Sequence, residues 1–181
     1  MKNIMILLLV LSFGVVANAQ ITKASLTASG LTCSMCSKAV KEAIEEVSFV
    51  EKVQVDIKNQ RYNIIFKNET PVDLDALGKA VEDAGFSIAS LSVTANVPSV
   101  TVTKDTHFQI GNHYFHFLNA NGQQLNGTAT LQLVDKQFVP AKDFKKYSAA
   151  SKMECVQTGK AAACCEADKV EAHTRVYHVI I

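Results

Sequence analysis

Between residues 23 and 93 the apolar positions switch between a spacing of two and a spacing near 3.6, in an order that few folds satisfy. Residues 23–31 alternate weakly, as a strand does. Then Met35, Ala39, Val40, Ala43, Ile44 and Val47 recur at helical spacing, opposite Lys38, Lys41, Glu42, Glu45 and Glu46. Ser34 and Ser37 are available to cap a helix over 34–47. Residues 49–57 alternate again, with Val53, Val55 and Ile57 on one face, and Asn59-Gln60 turns the chain into a returning strand over 62–66. Pro71 and Asp73 open a second helix, with Leu74, Leu77, Ala80, Val81 and Ala84 on one face, and Gly85 stops it before a fourth strand over 86–93. The order β-α-β-β-α-β predicts an α+β, ferredoxin-like unit in which two helices cover one face of an antiparallel sheet.

The segment ahead of this unit reads as a targeting sequence. Met1-Lys2-Asn3 is a short positive start, Ile4 to Val16 an apolar stretch, and Ala17-Asn18-Ala19 a small-x-small cleavage site. The apolar run is shorter than the roughly 20 residues of a spanning helix, so residues 1–19 are expected to be a cleaved signal peptide. The mature chain would then be periplasmic or secreted, with no membrane span. Losing Lys2 leaves 17 basic against 17 acidic residues, a balance that recommends neither nucleic acid nor a strongly charged partner.

Beyond residue 94 the pattern changes. Residues 95–99, with Pro98, read as a linker between a first domain over 20–94 and a second over 100–181. Short strand-like runs at 100–102, 108–110, 114–118, 129–134 and 174–181, with a hairpin signal at Asn119-Ala120-Asn121-Gly122, predict a small mostly-β domain, given as an oligonucleotide/oligosaccharide-binding (OB-like) barrel. Residues 142–150 are expected to form a short helix, with Lys142, Lys145 and Lys146 on its solvated face, and 155–170 a long loop.

Gly30-Leu31-Thr32-Cys33-Ser34-Met35-Cys36 stands at the first strand-to-helix junction. Two thiols at Cys-x-x-Cys spacing either close a disulfide or hold one soft metal ion. Unpaired N–H groups and the dipole at a helix start favour negative charge, hence thiolate, the form that ligates metal or attacks disulfides. Thiolates select Cu(I) or Zn(II) over hard cations, and two sulfurs alone suit Cu(I), which accepts low coordination numbers.

On this motif, the β-α-β-β-α-β order and Ala84-Gly85-Phe86, residues 23–93 resemble a heavy-metal-associated domain. That is the module of copper chaperones, mercury-binding periplasmic proteins and the N-terminal regions of metal-transporting P-type ATPases. Leu31 replaces the Met of the family pattern Gly-Met-Thr-Cys-x-x-Cys. The resemblance implies that Cys33 and Cys36 ligate the metal, Cu(I) first with Hg, Zn or Cd as alternatives. It also implies that Phe86 shields the site, although an aromatic opening a strand is equally explained as core. The implied partner is a metal-donor or metal-acceptor protein such as a transporter. Met35 is expected to be a partly exposed side chain rather than a third ligand. The competing use of the pair is thiol–disulfide exchange, in concert with the downstream cysteines.

Those downstream cysteines are Cys155, Cys164 and Cys165, and all five histidines (His107, His113, His116, His173 and His178) lie in the same half. The five are expected to be scattered on the surface, with His113 and His116 on opposite faces of their strand. The cysteines admit a disulfide from Cys155 to Cys164 or Cys165, or a second soft-metal site completed by His173 or Met153, or redox exchange with the first domain. Nucleophile–base sets, phosphate loops and zinc-protease spacings are not found, so no enzyme activity is expected.

Overall fold

The computed structural model describes residues 19–181; the expected signal peptide lies outside them apart from Ala19. The first six elements are β1 (Gln20–Ser29), α1 (Ser34–Glu45), β2 (Val50–Asp56), β3 (Arg61–Phe66), α2 (Leu74–Asp83) and β4 (Ser87–Thr103). Their strand order, β2-β3-β1-β4, is that of the ferredoxin-like unit, with antiparallel neighbours throughout. Each helix forms for a local reason. Asp73 caps α2 by accepting from the N–H groups of Asp75 and Ala76, and Gly85, at φ +86°, ends it in a conformation that costs glycine least. In α1, Val40 and Ile44 are fully buried one turn apart, while Lys41 and Glu45 pair on the outside.

The second half departs from expectation. Residues 95–99 are not a linker but the middle of β4, which runs 17 residues without interruption. Val93, Ala95 and Val97 continue the buried alternation past the predicted boundary. Pro98, which cannot donate to a ladder, is accommodated by a register shift between Val97 and Val100. Along this strand lies β7 (Asn121–Leu133), and beyond it β8 (Val176–Ile180), β6 (His113–Phe117) and β5 (His107–Ile110). All eight strands therefore form one sheet, ordered β2-β3-β1-β4-β7-β8-β6-β5, with different strands at its two ends. No closed barrel forms among the described residues. The Asn119–Gly122 signal does not make a hairpin either: β6 pairs in parallel with β8, while β7 returns to β4.

The remaining elements are α3 (Ala141–Ser148), a one-turn helix α4 (Cys155–Thr158) and a 3-10 turn (Ala163–Asp168), so the expected loop over 155–170 carries two short helices. They cover the face of the sheet opposite α1 and α2. The parity of β6 and β8 shows the division. Phe115, Phe117, Tyr177 and Val179 join the main core with Leu77 and Val81 of α2, whereas Leu118 and Val176 join a smaller cluster with Cys155, Val156, Cys165 and Val170. No helix among the described residues is long and apolar enough to cross a membrane.

Candidate metal centre

Cys33 is the N-cap of α1. Its backbone is extended, and its Sγ accepts a hydrogen bond from the Cys36 N–H at 3.2 Å. The two sulfurs lie 2.6 Å apart, with Cys33 exposed and Cys36 half-buried, so both open onto solvent. The hydrogen bond from the Cys33 thiol, helped by Thr32, holds the Cys36 thiol below its ordinary value. The helix start thus supplies a sulfur disposed to be thiolate beside a second one within reach of the same ion.

The loop is held from beneath. Gly30 takes φ +81°, and Leu31 packs partly buried on the main core. Tyr62 of β3 is fully buried, and its hydroxyl lies 3.0 Å from Ser37 Oγ and donates to the Ser37 carbonyl at 3.2 Å. It thereby fixes the residue that follows Cys36. Met35 is 68% exposed on the other side. Phe86 is half-buried against the main core.

The downstream sulfur and nitrogen atoms are not scattered. His107, His113, His116 and His178 are buried; only His173 of the five is exposed. Register explains it: His107 pairs with His116 across β5 and β6, and His116 with His178 across β6 and β8, so all three stand on one face. His113 is on the opposite face, as strand alternation requires, stacked on Tyr177 with ring centroids 5.5 Å apart. Cys155 Sγ lies 3.5 Å from His116 Nδ1 and 3.8 Å from His107 Nε2. The five cysteines are free thiols, and Cys164 Sγ sits 3.6 Å from Cys165 Sγ. Burial pushes the Cys155 thiol far up, and burial beside His107 and His178 pushes the His116 imidazole down to about 4. At neutral pH Cys155 is therefore a thiol and His116 a neutral imidazole with a lone pair towards it.

Known proteins give the first half a context. The heavy-metal-associated domain family model matches residues 25–87. A copper-transporting ATPase from Helicobacter pylori is 37% identical over 65 residues, which cover 36% of this chain and 9% of the ATPase. A probable copper-transporting ATPase, HMA5, from Arabidopsis thaliana is 31% identical over 84 residues, 46% of this chain and 8% of its own. The chain thus spans less than a tenth of the length of these curated relatives. Among solved structures, oxidized MerP from Ralstonia metallidurans CH34 is 33% identical, covering 39% of this chain and 96% of MerP at a TM-score of 0.33. The yeast copper transporter domain Ccc2a, solved in apo and Cu(I)-loaded states, is 25% identical and covers 36% of this chain and 88% of its own at a TM-score of 0.32.

Proposed function

We propose, from the match of residues 25–87 to the heavy-metal-associated domain family model, that the protein captures a soft metal ion, Cu(I) first, between Cys33 and Cys36 and passes it to a thiolate-bearing partner. The compartment proposed is the periplasm or the cell exterior, and no catalytic role is assigned. One observation carries the reading: the two sulfurs stand side by side at a helix N-terminus and face solvent. Exposure matters because transfer proceeds by ligand exchange. An incoming thiolate adds to the two-coordinate ion, a three-coordinate intermediate forms, and one of the original sulfurs leaves. The helix start favours the thiolate left behind, so the emptied site is ready to reload.

The test is an anaerobic competition against a chromophoric Cu(I) chelator, using reduced full-length chain and a Cys33→Ser/Cys36→Ser variant. The variant is expected to take up one equivalent fewer than the parent. Equal uptake would overturn the assignment.

The 2.6 Å sulfur separation and the lowered Cys36 thiol equally fit a dithiol that exchanges with disulfides. Metal-free reduced protein that turns over a disulfide-bonded substrate, and loses this with Cys36→Ser, would favour that second reading.

A further inference from the structure

The face of the sheet opposite α1 and α2 gathers donors that the Cys33–Cys36 loop does not use. His107, His116 and Cys155 form one group and Cys155, Cys164 and Cys165 another; within each group the ligand atoms lie within 4.8 Å of one another, and Cys155 is common to both. We propose that Cys155, His107 and His116, with one of the sulfurs of Cys164 and Cys165 as fourth donor, form a second, closed site for one soft or borderline d10 cation of the Zn(II) or Cu(I) class.

The spacing fits an ion. Bonds of about 2.3 Å to sulfur and about 2.0 Å to nitrogen, at tetrahedral angles, place donor atoms roughly 3.5–3.8 Å apart. The separations present are 3.5 Å and 3.8 Å from Cys155 Sγ to the two imidazole nitrogens, and 3.6 Å between the adjacent cysteine sulfurs.

The surroundings of the imidazoles are more specific. His107 turns Nδ1 to Asp168 at 2.7 Å and leaves Nε2 for Cys155; His116 turns Nε2 to Asp105 at 3.0 Å and leaves Nδ1 for Cys155. Each ring therefore donates a proton to a carboxylate and presents its lone pair to the same sulfur. A carboxylate behind a ligating histidine is the arrangement that fixes its tautomer and raises its basicity towards a metal. Opposite nitrogens are used on two rings that stack at 4.4 Å, so the convergence on one sulfur does not follow from stacking alone.

Burial argues against the two ordinary explanations. Both imidazoles are 0% exposed, as are Cys155 and Cys165. An apolar core would be built from Leu or Val, without desolvating two rings that need carboxylates to stay there. A disulfide between Cys155 and either neighbour would use two sulfurs and leave the paired histidines without a purpose. The sulfur-rich donor set selects soft and borderline ions over Ca(II) or Mg(II). Entry is provided by a cleft of ≈ 610 Å³ lined by Asp105, Met153, Glu154 and Cys164. As the ion enters, each ligating thiol, Cys155 included, releases its proton to solvent and its sulfur lone pair goes to the metal. His173 is exposed and takes no part.

The test uses the whole chain carrying Cys33→Ser and Cys36→Ser, so that its failure is separable from failure of the transfer reading. Reduced protein is titrated anaerobically in parallel with Zn(II) and with Cu(I) against chromophoric chelators, and with Co(II) as a spectroscopic stand-in for Zn(II). One tightly held ion per chain is expected in at least one arm, with a thiolate-to-metal charge-transfer band. Cys155→Ala should weaken it at least ~100-fold, and Asp168→Asn roughly 10- to 100-fold. Asp168 is a surface side chain, so its variant decides the matter even where the buried Cys155→Ala fails to fold. No bound ion in either arm overturns the site. So does an ion whose affinity survives Asp168→Asn, or a thiol count that reveals a disulfide among Cys155, Cys164 and Cys165 in protein that binds no metal after reduction.

Discussion

Arg175 ties the two halves of the chain, and removing it should cost about 3 kcal/mol. Its Nε and Nη2 donate to the two carboxylate oxygens of Asp75, in the first turn of α2, at 2.9 and 3.1 Å. Its Nη1 donates to Asp135 at 3.2 Å and to the carbonyls of Gly159 and Val176 at 3.2 and 2.6 Å. The guanidinium also lies 4.2 Å from the Tyr177 ring centroid, and a side chain at Gly159 would meet it at 2.8 Å. The contributions are unequal. Asp75 is 41% exposed, so its pair is screened to about 0–1 kcal/mol. Asp135 is 8% exposed; burial opposes its charge, yet hydrogen bonds from His178 and the charge of Arg175 hold its carboxyl below the usual range. Stripping one partner from such a buried carboxylate costs about 1.5–3 kcal/mol, and the lost cation–π contact about 0.5–1 kcal/mol. Urea unfolding of Arg175→Ala at pH 7, followed by circular dichroism and tyrosine fluorescence, should show this loss in a single transition, because β4 belongs to both halves. Arg175→Lys should recover less than half, lacking the planar fork. In 1 M salt the Asp75 part should vanish and the Asp135 part persist. A loss below about 1 kcal/mol, or two separate transitions in the parent, would refute the reasoning.

His113 is 6% exposed, and burial pushes its imidazole below the ordinary value. Its folded pKa is thus below the unfolded value of about 6.5, so its contribution is present above about pH 6.5 and is lost as pH falls below that. The urea midpoint should fall between pH 7 and pH 5, and His113→Phe should flatten part of that fall; an unchanged slope would contradict it. Met35→Ser should change Cu(I) affinity less than about twofold in the chelator competition, and a tenfold loss would make Met35 a ligand.

The first half of the fold was legible because its information is local. The periods that switch at Cys33, Val50 and Asp73, and the stop at Gly85, locate the first five elements and the start of β4 to within a few residues, although β4 runs ten residues past its expected end. The place of Cys33 and Cys36 at a helix start was legible for the same reason. What failed was the boundary at 95–99, where Pro98 suggested a break and a register shift absorbed it. His107 and His116 were missed, although a signal existed. Gly111-Asn112 is a two-residue turn, and a hairpin closed by it places His107 opposite His116. The parallel pairing of β6 with β8 had no such signal, because it joins segments more than 60 residues apart. Nor could spacing reveal that Cys155 arrives under those histidines on a helix of one turn.

The two thiol sets differ in the property that decides what a thiol can do. At Cys33 and Cys36 the sulfurs are open to solvent and the helix start draws Cys36 towards thiolate, which favours both rapid metal exchange and oxidation. At Cys155 burial raises the thiol and the surrounding rings exclude water, which slows both. A transfer site must release its ion to an incoming thiolate, whereas Cys155, buried beneath carboxylate-backed histidines, is not open to such a thiolate from solvent. The same sheet thus holds one set of sulfurs where exchange is easy and another where it is slow. That division matches the carrying proposed for Cys33 and Cys36 and makes slow release the expected behaviour of the second proposed site.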